Sequence, residues 1–197
     1  MASAVNTDAL NQIFTLARSH YDWLDKPVSE EQVHEIYNLM KMCPTSANSS
    51  PLRLVFVRSD EAKERILPYI MDSNREKSRK APICVILAMD TKFYDHIPDL
   101  FPHNPDARLW FAGNDALIDE TAIRNSSLQG AYFMLAVRAM GLDTGPISGF
   151  DAAGVDAEFF PDGRFKTNFL CNIGYGDPAA LFDRSPRFEF DEACSFA

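Results

Sequence analysis

Cysteine is scarce and scattered in this chain. The four residues, Cys43, Cys84, Cys171 and Cys194, form no CxxC pair, so neither a disulfide framework nor a zinc site is expected. Cys84 and Cys171 stand inside apolar runs and read as reduced thiols of a cytoplasmic protein. Histidine is equally sparse. No HExxH and no His/Cys cluster occurs, which speaks against zinc proteases, and the lack of GxSxG speaks against serine hydrolases. No GxGxxG follows a strand and no GxxxxGK[ST] is present, so the common dinucleotide and P-loop sites are unsupported. No run of about 18 apolar residues is available to cross a bilayer. The opening MASAVNTDALNQIF lacks the basic and then apolar order of a secretory signal. Basic charge is also short: 19 Lys and Arg against 28 Asp and Glu leave a net charge of -9. A polyanionic partner needs a basic face, so nucleic acid is not an expected ligand.

What is present is a globular composition. Of the 197 residues, 46% are hydrophobic, enough for one domain spanning residues 1–197 with a sizeable core. Asn6 to Ser19 has helical spacing of Leu10, Ile13, Phe14 and Ala17. Ser29 and Gln32 form a capping-box pattern ahead of the stripe Val33, Ile36, Tyr37 and Met40, and Pro44 ends that helix. Leu54 to Val57 reads as a strand, DEAKERILPYI as a short helix, and the apolar run Ile83 to Ala88 as a strand buried on both faces. Tyr94 to Asp115 is an irregular excursion or a pair of short helices. The helix that follows is apolar nearly all round in its later half, up to Gly141, so it packs against more than one surface. Asp151 to Phe160 reads as a short helix and FKTNFLCNIGYGD as a third strand. The tail from Arg184 is extended and then briefly helical. Three strands among more numerous helices predict an α+β domain.

Three segments could carry chemistry. CPTSANSSPLR, from Cys43 to Arg53, sets small hydroxyl residues and an Asn between two prolines; it is either a helix stop rich in turn residues or a polar wall that leaves room for a ligand. NREKSRKAP leads into the main strand, where it is either a solvated cationic turn or a site in which Asn74 and Lys77 face one anionic ligand. GPISGFD, from Gly145 to Asp151, is either a helix stop and restart or a bare backbone lying against something flat. Arg18, Arg184 and Arg187 add guanidiniums, whose planar fork suits phosphate. Residue chemistry alone reaches this far: polar loops and scattered arginines that could hold a phosphorylated ligand.

Five segments, in order, resemble the FMN-dependent nitroreductase family: ARSHYDWLDKPVSEEQV, PTSANSSP with its P-S-S-x-N-S-Q-P pattern, NREK with N-x-x-K, GPISGFD with P-I-x-G-F-D, and GYGD followed by RSPR. They cover almost the whole chain. The Phe-rich middle, PTSANSSPLR and RNSSLQGAY are similar to the malonic semialdehyde reductases of pyrimidine degradation. The sequence departs from the family pattern where Tyr21 replaces a basic residue, and where Ser50 and Leu52 replace a Gln and a Trp.

The resemblance implies a nitroreductase-like fold, with helices packed around a small mixed central sheet in an intertwined homodimer. It implies FMN at the subunit interface and NADPH or NADH as co-substrate. Arg18, Ser19, His20, Arg184 and Arg187 would meet the phosphate end. Pro44, Thr45, Ser46 and Asn48 would line the ribityl chain and ring, and Asn74 and Lys77 the pyrimidine edge. Pro146, Ile147, Ser148 and Gly149 would form the turn against the ring, since only a Gly-rich backbone comes that close to a flat ligand. No side chain need act as nucleophile and no metal is implied. The implied reaction passes hydride from NAD(P)H to malonic semialdehyde, giving 3-hydroxypropanoate. Three other readings stand beside it: a broad nitro- or quinone-reductase, a flavin- or partner-binding protein without turnover, and a non-flavin α+β domain whose Ser/Asn loops are only turns.

Overall fold

Among the described residues, four strands build the sheet: β1 (Leu52–Val57), β2 (Ile83–Asp90), β3 (Asp143–Ile147) and β4 (Phe165–Gly174). The computed structural model describes residues 3–197. The strand order is β1-β2-β4-β3, and every neighbouring pair is antiparallel. The expectation of a mixed sheet is therefore corrected to an antiparallel one. Among the described residues the parallel pairing is the isolated bridge between Ser19 and Thr144. A strand buried on both faces has the same apolar run whichever way its neighbours point. The fourth strand was not expected, because Asp143–Ile147 contains Gly145 and Pro146. At a sheet edge proline is tolerated, since its missing N–H can face outward, and Pro146 sits there opposite Cys171.

The helices are α1 (Thr7–Leu10), α2 (Glu30–Met40), α3 (Asp60–Ile66), α4 (Asp72–Lys80), α5 (Ile97–Leu100), α6 (Asp115–Ala139), α7 (Ala152–Phe159) and α8 (Phe190–Ala193). They clothe both faces of the sheet. Ile83, Val85 and Leu87 of β2 enter one core with Ile36 and Met40 of α2 and Phe133 and Val137 of α6. Cys84, Ile86 and Ala88 point the other way, into a core with Ile66 of α3 and Val155 of α7. This period-2 division explains why β2 shows no polar alternation. The excursion from residue 93 to 111 has its own small core, in which Phe93, Ile97, Ala107 and Phe111 pack on Ile118 and Ala122 of α6.

Local signals explain the helix ends. Ser29 caps α2 in the expected box with Gln32, and Gly141, at φ +75°, follows α6 in the left-handed conformation that stops a helix. Two segments differ from expectation. The Asn6–Ser19 helix is broken: α1 gives way to a π-helical turn at Asn11–Thr15, and its apolar residues Leu10, Phe14 and Leu16 are exposed. NREKSRK is helical, not a turn. Asp72 in the first turn and Lys77, Arg79 and Lys80 in the last complement the helix dipole, and Arg75 pairs with Asp72 at 2.8 Å. Among the described residues, no helix is long and apolar enough to cross a membrane.

Candidate functional site

The end of β3 gathers most of the expected site residues. Ser19 bridges Thr144, and the His20 N–H donates to the Thr144 carbonyl at 2.9 Å, so residues 18–20 lie alongside β3. Gly145 makes that approach possible: a Cβ there would stand 2.7 Å from the His20 carbonyl oxygen, closer than such atoms approach. At the end of the strand and just past it, Pro146 and Ser148 are exposed while Ile147 is buried in the core. The strand period of two puts Pro146 and Ser148 on the open side and leaves Ile147 only its backbone to offer.

α4 closes on the same turn. Asn74 Nδ2 donates to the Gly149 carbonyl at 3.2 Å, and the Met71 N–H donates to it at 3.1 Å. Gly149 has no side chain to spare for this contact, since a Cβ would fall 2.6 Å from Asn74 Nδ2 and 3.0 Å from Met71 Sδ. One turn further along, Lys77 is half-buried. Its Nζ lies 4.8 Å from the centre of the Tyr21 ring, and burial pulls its pKa below the usual lysine value. Tyr21, the residue that departs from the family pattern, thus faces the cation. The Lys77 carbonyl accepts from the Trp23 indole N–H at 3.0 Å, fixing residues 21–23 against α4.

Three guanidiniums converge on the strip before β3. Arg18 donates from Nη2 to the Phe182 carbonyl at 2.5 Å, and Arg184 Nη2 donates to the carbonyls of Thr15 and Ala17 at 2.7 and 3.1 Å. The tail therefore folds back over the start of the chain. The third is Arg138, near the end of α6. Its Nη2 donates to the Arg18 carbonyl at 2.8 Å and to Thr144 Oγ1 at 3.1 Å, while Nη1 is buried without a partner among the described residues. Burial, and to a lesser degree the Arg184 charge, depress the Arg138 pKa against the opposing pull of Asp143. An unpartnered buried N–H on a cation is costly until an anion or other acceptor meets it. Arg138 was missed in the sequence because a single Arg near the end of a long, largely apolar helix has no distinguishing pattern.

His20 and Arg187 are placed differently. The His20 ring is buried, its Nε2 is 3.3 Å from Asp143 Oδ1, and a Cβ at Gly176 would overlap it. Asp143 also accepts from the Gly176 N–H at 3.1 Å. Burial raises the Asp143 pKa, but hydrogen bonds from His20 and Gly176 and the positive charge nearby outweigh it, and the carboxyl is held below the usual range. His20 thus ties three segments together inside the protein. Arg187 donates to the carbonyls of Ser185 and Pro186 in its own exposed segment, and these contacts do not bring it to the other arginines.

The loop Pro44–Pro51 lies elsewhere. It leads into β1, whereas the turn at Gly149 follows β3, and these strands are the opposite edges of the sheet. Three strand spacings separate them, about 14 Å. The loop contains no glycine, yet Ala47, Asn48 and Ser50 have φ of 49°, 47° and 39°. Left-handed backbone costs an ordinary residue about 1–2 kcal/mol, so the surroundings hold this shape. The expected residues Thr45, Ser46 and Asn48 do come together in this loop: the Thr45 Oγ1 accepts from the Ser50 N–H at 3.1 Å, and Asn48 Nδ2 donates to the Leu100 carbonyl at 2.7 Å. The expected site residues therefore fall into two separated groups in one chain, two candidate half-sites.

The donor set of the first half-site fits a flat, phosphorylated ligand. It has three guanidiniums, one of them with a buried unsatisfied N–H, a partly desolvated lysine, and a backbone turn that a single Cβ would fill. The pattern of the nitroreductase family matches residues 17–175. A protein of Polynucleobacter asymbioticus, named provisionally as an NADH dehydrogenase/NAD(P)H nitroreductase, is 56% identical over 194 residues, covering 98% of each chain. The crystal structure of an Exiguobacterium sibiricum protein, named provisionally as a nitroreductase and solved in complex with FMN, has the same fold: TM-score 0.87, 19% identity, 100% of both chains covered. A Staphylococcus epidermidis protein, named provisionally as an NAD(P)H:FMN oxidoreductase, superposes with a TM-score of 0.83 at 21% identity, again over 100% of both chains. With the family pattern spanning most of its length and a relative more than half identical from end to end, the chain belongs to the nitroreductase family.

Proposed function

We propose that two copies of this chain bind FMN between them and pass hydride from NAD(P)H to a small electrophile. The observation that carries this reading is the cradle at the end of β3, where Gly149, Asn74 and Lys77 meet beside Arg18, Arg138 and Arg184. When bound, FMN supplies the hydride chemistry. The chain's residues do the rest. Arg18 and Arg184, steadied by Arg138, offer charge-assisted hydrogen bonds to the terminal phosphate. Asn74 and the turn Pro146–Gly149 hold the ring edge, and Lys77 sets a positive charge beside it. Ser19 positions the strip, with His20 as its internal tie. Pro44, Thr45, Ser46 and Asn48 come from the other copy, because in one chain they lie on the far edge of the sheet. Nicotinamide and acceptor use the same space in turn, in ping-pong order.

The homodimer has support in unpartnered apolar surface. Ile123, Leu128 and Tyr132 of α6 are exposed, as are Leu10 and Phe14. The tail exposes Phe182, Phe188, Phe190 and Phe196. The outer edge of β1 is open and borders a groove of about 1150 Å³ lined by Val33, Tyr37, Met40, Leu52, Leu54 and Phe56. We assign that groove to the partner's tail, which carries the exposed phenylalanines and is extended as an added edge strand must be. Sedimentation of the full chain and of a form ending at Asp183 tests this: a dimer that becomes monomeric and loses flavin is expected, and a flavin-loaded monomer of the full chain would contradict it.

For the acceptor we propose malonic semialdehyde, reduced to 3-hydroxypropanoate, on the resemblance of PTSANSSPLR and RNSSLQGAY. The names of the relatives favour a second reading, a broad nitro- or quinone-reductase. Steady-state kcat/KM for malonic semialdehyde against a nitrofuran and a quinone decides between them. A preference of tenfold or more for the aldehyde supports the first, and a preference for the nitro compound or quinone supports the second.

A further inference from the structure

We infer that Asn125 and Gln129 of α6 are positioning residues that set the shape of the loop Pro44–Pro51. What that loop is for rests on the flavin reading above; how it is held rests on the hydrogen bonds alone. The two side chains are one helical turn apart and almost fully buried, 2% and 3% exposed. A buried carboxamide needs partners, and each of these finds a backbone N–H at one end of the loop. Asn125 Oδ1 accepts from the Ser46 N–H at 2.9 Å, and Gln129 Oε1 accepts from the Leu52 N–H at 2.9 Å. Asn125 Nδ2 donates to the Thr121 carbonyl of its own helix at 2.8 Å, which fixes the face of the amide turned to the loop.

The strained residues lie between these two anchors. Ala47, Asn48 and Ser50 all have positive φ, and no glycine is present to favour that conformation. A third anchor acts from the strand side. Arg53 Nη1 donates to the Ser50 carbonyl at 2.9 Å, and its Nη2 is held at 3.0 Å by Asp90, a fully buried carboxylate that Arg164 also grips at 2.9 and 3.0 Å. Strained backbone persists only where its surroundings over-determine it, and a rigid helix is a more exact support for a binding loop than the loop itself. α6 is thus the template on which the second half-site is shaped.

Amide hydrogen exchange of flavin-free protein and FMN titration by fluorescence together test this. In the wild type the Ser46 and Leu52 amides should exchange at least tenfold more slowly than that of Ala47; equal rates would overturn the inference whatever the variants do. Asn125→Leu and Gln129→Met remove the acceptors, and should release the Ser46 and Leu52 amides respectively and raise the Kd for FMN about tenfold, or about 1.4 kcal/mol. Gln129→Glu keeps the acceptor oxygen and should recover most of the affinity that Gln129→Met loses. If the wild type binds FMN and the Leu and Met variants bind it equally well, or if Gln129→Glu is as weak as Gln129→Met, the positioning role is wrong and the flavin reading stands. A wild type that takes up no FMN overturns the flavin reading, and with it the loop's role in binding flavin.

Discussion

Replacing Gly149 by alanine tests how tightly α4 closes on the turn after β3. The new methyl would stand 2.6 Å from Asn74 Nδ2 and 3.0 Å from Met71 Sδ, and Gly149 is not among the positive-φ glycines. The penalty is therefore collision and not backbone strain. Asn74 must swing away, losing its 3.2 Å hydrogen bond to the Gly149 carbonyl, a loss of about 0.5–1.5 kcal/mol. Its displaced rotamer adds about 0.5–1.5 kcal/mol. A total near 2 kcal/mol would lower the Tm of a chain this size by about 4–8 °C. A double-mutant cycle with Asn74→Ala isolates the cause. With the amide gone, only the flexible Met71 remains to be met, so the cost of Gly149→Ala should shrink by about 1 kcal/mol or more. Urea unfolding of flavin-free protein, at one fixed protein concentration, reads it. Additivity within about 0.5 kcal/mol would refute the contact, and the role of Asn74 at the ring edge would fall with it.

Other substitutions test neighbouring parts. A charge beside a ligand that becomes anionic on reduction favours the reduced state by roughly 1–3 kcal/mol at an effective dielectric of about 20, and for a two-electron couple this is roughly 20–65 mV. Lys77→Met should lower the flavin midpoint potential by that amount and slow reduction by NAD(P)H while FMN stays bound; an unchanged potential would remove Lys77 from the ring edge. The Asp143 carboxyl is held below its ordinary pKa, so the unfolded chain binds more protons and stability rises with pH. That contribution is full above the unfolded pKa, about 4, and is lost as pH falls through the lower folded value. Asp143→Asn should therefore be less stable than wild type at neutral pH, with a shallower further loss in acid; parallel urea-midpoint profiles below about pH 4 would contradict this.

The sequence was most legible where one residue pattern has one structural meaning. The Ser29–Gln32 box, the apolar run of β2 and Gly141 each specify a local geometry that tertiary packing did not override. β3 was not legible, since Gly145 and Pro146 carry low strand propensity and only an edge position reconciles them with a sheet. The antiparallel direction was hidden because β2 is apolar on both faces. NREKSRK read as a turn because a helix with one buried residue, Ser78, shows no apolar stripe. At the site, short polar and glycine-rich segments were visible as motifs: Gly145–Gly149, Asn74, Lys77, Arg18 and Arg184 are brought together. Their supports were not. Arg138, Asn125 and Gln129 are single polar residues in α6 whose loop and strand partners lie between 77 and 120 positions away in sequence, and only folding shows what they hold. Arg187 and the inward ring of His20 mark the converse, motif residues whose side chains the fold uses otherwise.

The most direct test of the account is the cofactor itself. Protein purified and incubated with excess FMN and FAD, then freed of unbound flavin, should be yellow. Heat should release FMN almost exclusively, because the proposed site has Arg18 and Arg184 close around one terminal phosphate. Colourless protein that takes up neither flavin, or a heat-released pool dominated by FAD, would contradict it.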